Sequence, residues 1–327
     1  MRRREFISLL GGGAAAWPLS LRAQRPMSPL IGVLSSGPAK LREDQSGGLR
    51  RGLKEAGFVE GDNLRILYRG ADDHYELLPA LAAELVSQSV SVIATAGGPV
   101  AALAAKSATS TIPIVFAAVS DPVKSGLVTS LNRPGGNVTG NAGLTIELDA
   151  KRLELLSELV PAGRPFGALI NANRPGVDIE ENDLLAAAKN LGRELVVLRT
   201  SDSASIEAAF EKLAQFGVTG LVVGADALFN DNRPRVLSLA AYYAMAGVYP
   251  WREYVTAGGL ISYGANLLEG YRLSGVYVGR ILKGENPANL PVVQPDKFEF
   301  LINLRTAKAL GLVVPPAIIA RADEVIE

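Results

Sequence analysis

The side chains that could do chemistry in this chain are few and of a narrow kind. There is no cysteine, which removes thiol nucleophiles, disulfides, thiolate-bound zinc and a lipid-modified N-terminal cysteine. The one histidine, His74, stands in a polar run from Ala71 to Glu76 that reads as solvated loop. A Ser-His-Asp triad or a histidine-rich metal site is therefore not expected. What remains are carboxylates, hydroxyls, amides and glycines placed where apolar runs end. The clearest case is Val92–Thr95, a β-type run that feeds Gly97-Gly98-Pro99 and then a helical stretch, Val100–Ala108. Pro99 suits a first helical position. The two glycines let the backbone approach a ligand, and the free N–H groups of a helix start suit a small polar or anionic group. The same stretch reads equally well as an ordinary strand-to-helix turn.

Comparable strand ends recur along the chain. They are Ser35-Ser36-Gly37, Ser120-Asp121-Pro122, Asn171-Ala172-Asn173, Gly224-Ala225-Asp226 and the segment beginning at Val248-Tyr249-Pro250-Trp251. Asp121 and Asp226 could each accept charge-assisted hydrogen bonds from a ligand ammonium, or each could cap its own turn. Ser36 and Thr95 offer hydroxyls. Among aromatic residues Phe116, Phe229, Tyr249, Trp251 and Tyr263 could stack on an aromatic ligand, although Phe116 reads better as core. Arg174 and Arg252 are the basic residues on these loops, and an arginine clamp on a carboxylate is not indicated.

The elements that must carry these ends alternate strand with helix, the mark of parallel sheets flanked by helices. Strands are expected over Leu30–Ser35, Asn63–Tyr68, Ser91–Thr95 and Ile112–Val119, with helices over Arg42–Ala56, Glu76–Ser87 and Val100–Ala108 between them. The order then repeats: strands at Phe166–Asn171, Glu194–Arg199, Gly220–Val223 and from Val248, helices at Glu180–Leu191, Ser205–Gln215 and Arg233–Ala246. The repeat is one of architecture, not identity. Two such lobes aim their strand C-ends at a shared cleft, where open α/β sheets bind ligands. Crossings between lobes are expected at Asn141–Thr145, Ser262–Asn266 and about Val293–Phe298, a three-strand hinge able to close like a clamshell. The first lobe is expected over residues 28–141 plus about 264–294, the second over 142–263 plus about 295–327.

Composition agrees with a globular protein: 48% of the residues are hydrophobic and 20% charged, over a length that accommodates two domains. Formal charge is zero, and no basic stripe suggests nucleic acid. Residues 1–23 carry the pattern of an export signal. Arg2-Arg3-Arg4 precede an apolar stretch from Phe6 to Trp17, Arg3–Ile7 resembles a twin-arginine signal, and Leu21-Arg22-Ala23 allows cleavage near Ala23. The expected location of the mature chain is the periplasm.

Several stretches, in order, resemble one family. They include Ile31–Gly37 (IGVLSSG), Gly57–Leu64 (GFVEGDNL), Val92–Lys106, Thr111–Val123, Gly126–Gly140, Glu253–Asn266, Tyr277–Val292 and Phe298–Leu312, followed by Pro315–Glu327. They are similar to the substrate-binding proteins of ABC-type importers, in particular the TrpX-like subgroup linked to aromatic amino-acid uptake, and they cover almost all of the mature chain. The resemblance implies an α/β fold of two Rossmann-like (flavodoxin-like) lobes, the type I periplasmic binding protein fold. It also implies a monomer that passes a small-molecule ligand, an amino acid or aromatic acid, to a permease and its ATPase. By family position and strand-end logic together, the ligand-binding residues expected are Ser35, Ser36, Thr95, Gly97, Gly98, Asp121, Asn141, Asn173, Asp226 and Tyr249, with Asn141 in a hinge.

Two other classes compete. A periplasmic sensor module would share the fold and differ by a fused signalling domain or anchor. An enzyme would need equipment the sequence lacks: there is no G-x-S-x-G elbow, Walker motif or G-x-G-x-x-G after a strand. Arg133–Asn137 (RPGGN) reads as a surface turn. A hydrolase using only Asp121 and Asp226 is the remaining enzymatic reading. No enzymatic activity, cofactor or metal is expected.

Overall fold

The apolar runs become strands and the 3.6-periodic stretches pack over them in the computed structural model, which describes residues 28–161 and 163–327. The expected export signal lies outside those residues. In the first half the order is β1 (Leu30–Ser35), α1 (Glu43–Glu55), β2 (Arg65–Gly70), α2 (Leu78–Ser87), β3 (Val92–Ala96), α3 (Pro99–Ala108), β4 (Ile114–Val119) and β5 (Val138–Ala142). These five strands form a parallel sheet in the order β2-β1-β3-β4-β5.

The chain then crosses to a second unit. It comprises α4 (Asp149–Leu159), β6 (Phe166–Asn171), α5 (Val177–Asn190), β7 (Leu195–Thr200), α6 (Ser203–Gln215), β8 (Gly220–Val223), α7 (Ala227–Asp231), α8 (Arg233–Tyr242), β9 (Ala246–Tyr249), α9 (Arg252–Thr256) and β10 (Ile261–Gly264). Here β7-β6-β8-β9-β10 is parallel and repeats the strand order of the first sheet. Helix α10 (Leu267–Leu282) returns to the first lobe. The tail, β11 (Glu299–Asn303), α11 (Leu304–Ala309), α12 (Pro316–Ile319) and β12 (Glu324–Ile326), extends the second sheet, with β11 antiparallel to β10.

Glycine lets α10 dock. Gly52 of α1 faces Gly275 of α10 and Gly48 faces the Leu268 carbonyl, and a Cβ on Gly52 would overlap the Arg272 carbonyl, so the two backbones lie in direct contact. Helix α10 thereby bonds its lobe to a chain segment that has just left the other one.

The connections between the lobes are tied by buried polar groups. Asn141 at the end of β5 accepts from Ala118 N–H (3.0 Å) and donates to the Gly270 carbonyl (2.9 Å), joining β4, β5 and α10. Arg152 on α4, fully buried, donates to the carbonyls of Thr145 (2.8 Å), on the first connection, and Tyr263 (2.9 Å), in β10, and pairs with Asp149 at 2.5 Å. Its Nη2 is buried without a partner, so the Asp149 charge beside Nη1 must offset much of the cost of burying this cation.

In each sheet the strand order reverses beside the first strand, between β1 and β3 and again between β6 and β8. The two reversal points face one another. Their loops are the ones rich in Gly, Ser, Asn and Asp.

Candidate functional site

On the first lobe the site is built from the start of α3. Gly97 and Gly98 hold φ of +85° and +89°, no side chain caps the helix, and Pro99 supplies its first residue. The N–H groups of the first turn therefore stay free of intrahelical partners at the cleft. Ser36 fixes this turn, its hydroxyl donating to the Gly97 carbonyl at 2.8 Å. A Cβ on Gly97 would overlap that hydroxyl, so glycine is needed here for space as well as for φ. Ser120, at the end of β4, accepts from the N–H groups of Thr145 (3.1 Å) and Ile146 (3.0 Å) and orders the first connection.

The second lobe contributes Asp226 and Arg174. Asp226 caps α7 through Leu228 N–H (3.0 Å) and accepts from Asn171 Nδ2 (2.8 Å). Asn171 also donates to Tyr75 of the first lobe at 2.9 Å and accepts from Asn173 N–H. Arg174 is buried, with Nη1 donating to the Ala225 carbonyl (3.1 Å) and lying 3.4 Å from Glu180. Its Nε and Nη2 have no protein partner among the described residues. Burial raises the Glu180 carboxyl to about 7 against the pull of Arg174.

The lobes are in contact across the cleft. Arg42 of the first donates to the Asn230 carbonyl of the second at 2.6 Å, alongside the Asn171–Tyr75 bond. Between them lies a cavity of about 40 Å³ walled by Gly97, Gly98, Ser120, Arg174, Asp226 and Trp251, among others. That is room for about one water molecule. It shares Ala118, Thr145, Trp251 and Leu267 with a cavity of about 780 Å³ at the hinge side, which reaches Asn141, Asn266 and Phe298. This is a closed cleft whose walls offer anion donors from both lobes, the start of α3 and Arg174, and a carboxylate, Asp226, from the second.

The sequence-expected residues divide on this geometry. Gly97, Gly98 and Asp226 meet at the cleft cavity. Ser36 sits just beneath it as a support, and Ser35 and Thr95 are buried in their strands, Thr95 with its hydroxyl unpartnered. Asn141 lies in the hinge and lines the larger cavity. Asp121 turns back to cap its own loop through Val123 and Lys124 N–H, and borders a separate side groove of about 220 Å³. Asn173 is exposed at the cleft front, bonded to the Ser201 carbonyl. Tyr249 is not a wall of the cleft: it is 1% exposed and stacks on Tyr254 at 4.7 Å. Its position in β9 points the ring into the core rather than over the strand end. Phe116 and Phe229 are core residues as well, and Trp251 alone of the five aromatic candidates faces the cleft cavity.

Four cleft residues carried weaker signals. Arg174 and Asn171 follow or end β6 in the Asn-Ala-Asn-Arg run, where Asn173 stands out by loop position and Arg174 is noted as a basic loop residue without an indicated clamp. Asn230 and Tyr271 come from helices, and periodicity gives no sign that they turn towards a cleft.

Comparison with known proteins agrees with this geometry. The family model described as ABC transporter substrate binding protein matches residues 31–326. A tyrosine-binding protein of Clostridioides difficile is 31% identical over 266 residues, covering 81% of this chain and 76% of that protein. Among solved structures, a conserved domain protein from Vibrio cholerae superposes with a TM-score of 0.83 at 28% identity, over 91% of this chain and 99% of the other. An ABC domain from Streptococcus pneumonia in complex with L-Trp gives 0.81 at 24% identity, over 91% and 100%. With two lobes of type I periplasmic binding protein architecture closing on a polar cleft, and the family model spanning nearly all of both, this chain belongs to the ABC transporter substrate-binding protein family.

Proposed function

We propose that this protein is the extracytoplasmic binding component of an ABC-type importer, and that its ligand is an amino acid held between the lobes. The observation that carries the reading is the pairing of opposite charges across one small cavity. The free N–H groups of α3 and the spare donors of Arg174 suit a carboxylate. Asp226, already oriented by Asn171, suits an ammonium. The relatives that bind tyrosine and L-Trp favour an aromatic side chain, and Trp251 is placed to stack on one where the cleft opens towards the hinge cavity.

Binding requires movement. A cavity of about 40 Å³ does not admit an amino acid, so the lobes must part, receive the ligand at α3, and close again around it. Ligand contacts made by both lobes then favour the closed form over the open one. The closed outer surface would be what a permease distinguishes. Catalysis plays no part in this account, in which Asp226 and Asp121 each cap a turn of their own and border different cavities.

Thermal unfolding against a panel of the amino acids tests the reading. A ligand present at a hundred times its dissociation constant stabilises by about 2.7 kcal/mol and raises the midpoint visibly. A selective rise with L-tyrosine or L-tryptophan is expected. A midpoint unmoved by every amino acid would overturn the ligand class.

A further inference from the structure

The front of the cleft sets carboxylates from the two lobes against one another. Asp73, in the loop after β2, has Oδ1 buried and without a hydrogen-bond partner. Asp231, the last residue of α7, presses its carboxylate onto Gly37 of the first lobe so closely that a Cβ there would overlap it. Asp73 Oδ1 lies 3.9 Å from the same point. Asp226 stands beside them, with Tyr75 Oη 3.5 Å from its Oδ1.

The nearby cations are already committed. Arg42 bonds Asp44 (3.4 Å) and the Asn230 carbonyl, and Arg233 bonds the Asn230 side chain (3.1 Å) and lies 3.6 Å from Asp44. Neither Asp73 nor Asp231 has an ion pair among the described residues. The other titratable groups facing the pair are Asp72, His74 and Tyr75 from the first-lobe loop, and Tyr254 and Tyr271 from α9 and α10. All are acidic or neutral apart from His74, which is exposed beside Glu76.

We propose that closing the cleft takes up protons at Asp73 and Asp231, so that the protein holds its ligand more tightly on the acid side of neutrality and lets go as pH rises. Burial first, and then the Asp226 and Asp72 charges, raise the Asp73 carboxyl to about 6. Burial and then Asp73 raise Asp231 to about 7. Parting the lobes removes the cross-lobe contacts and returns both groups towards the ordinary carboxylate range near 4. The closed form therefore binds more protons than the open form between about pH 4 and pH 7, and lowering the pH through that window favours closure. Glu180 is raised to about 7 too, first by burial, in a groove that first-lobe residues also wall, and its part of any shift is what remains in the D73N/D231N variant.

This inference rests on the amino-acid reading for its ligand but not for its closure, and two measurements separate them. The first is calorimetric titration with L-tryptophan at pH 8.0 and pH 5.5, a range in which that ligand keeps its charges. Uptake of one proton changes affinity about tenfold per pH unit inside the window. The wild type is expected to tighten at least about tenfold, the D73N/D231N variant less than about twofold, and His74→Gln to keep the wild-type shift. An affinity independent of pH in the wild type would overturn the proposal. The second is the radius of gyration of the ligand-free protein by X-ray scattering. It should fall from pH 8.0 to 5.5 in the wild type and stay at the lower value in the double variant. Equal radii in all four samples would also overturn it. Contraction without L-tryptophan binding would leave the proton-linked closure standing and reject the ligand.

Discussion

Among single residues, the two cleft carboxylates separate most sharply. Asp226 is joined to Asn171 and faces the cavity, whereas Asp121 turns Oδ1 to the N–H groups of its own turn and has Oδ2 3.5 Å from Lys124 Nζ. Asp226→Asn keeps a competent helix cap, because asparagine serves as well as aspartate there. It removes the negative charge that would hold an ammonium. Ligand affinity is expected to fall by about 2–3 kcal/mol, roughly 30- to 150-fold, by calorimetric titration with the melting temperature little changed. Asp121→Asn is expected to leave affinity within about twofold, since that carboxylate meets no ligand position. These two residues also show how far residue types can be read from sequence. Both end apolar strands in turn-forming contexts, so type and spacing alone cannot say which oxygens are free. That is settled by backbone N–H groups two and three residues on. Tyr249 illustrates the same limit, because the last residue of a strand points into the core or out of it according to the pleat.

At the level of elements, the loop before α3 is constrained from two sides. Gly97 needs a left-handed backbone and has the Ser36 hydroxyl where a Cβ would go, while Gly98 needs the backbone alone and has open space. Gly98→Ala should therefore cost about 1–2 kcal/mol in unfolding free energy, and Gly97→Ala more, with the difference reporting the displaced Ser36. Denaturant unfolding of the two variants gives this comparison directly. Most strands and helices of both repeats were legible because their periods differ and their boundaries carry glycine, proline and aspartate, but β10 falls where the sequence suggests a crossing, and β9 starts at Ala246 and gives way to α9. Strand β5 was not legible. Its Val-Thr-Gly-Asn-Ala run has little apolar character, and it becomes a strand because β4 and the 293 segment offer it partners. Helix α4 was also missed, its start lying in the first connection without a capping side chain.

Over the whole molecule, the repeated alternation of strand and helix was the strongest message in the sequence. It carries the two-lobed class, whereas the strand order within each sheet and the degree of closure depend on contacts between residues far apart in the chain, such as Arg42 with Asn230. The buried carboxyls tie stability to pH as well. Asp73, Glu180 and Asp231 are raised to about 6, 7 and 7 in the folded chain, mainly by burial. Unfolding returns each towards 4, so the folded state binds more protons between about pH 4 and pH 7. Stability contributed by these groups is lost as pH rises through that range and changes little above it. Calorimetric melting at pH 5.5 is accordingly expected a few degrees above that at pH 8.0. The most direct test of the account is isothermal titration of the purified protein with L-tyrosine and L-tryptophan, with Asp226→Asn in parallel. The account predicts saturable one-to-one binding of at least one of them, weakened at least about tenfold by the substitution. Wild-type protein with a native circular-dichroism spectrum that binds neither, or a variant that binds as tightly as the wild type, would contradict it.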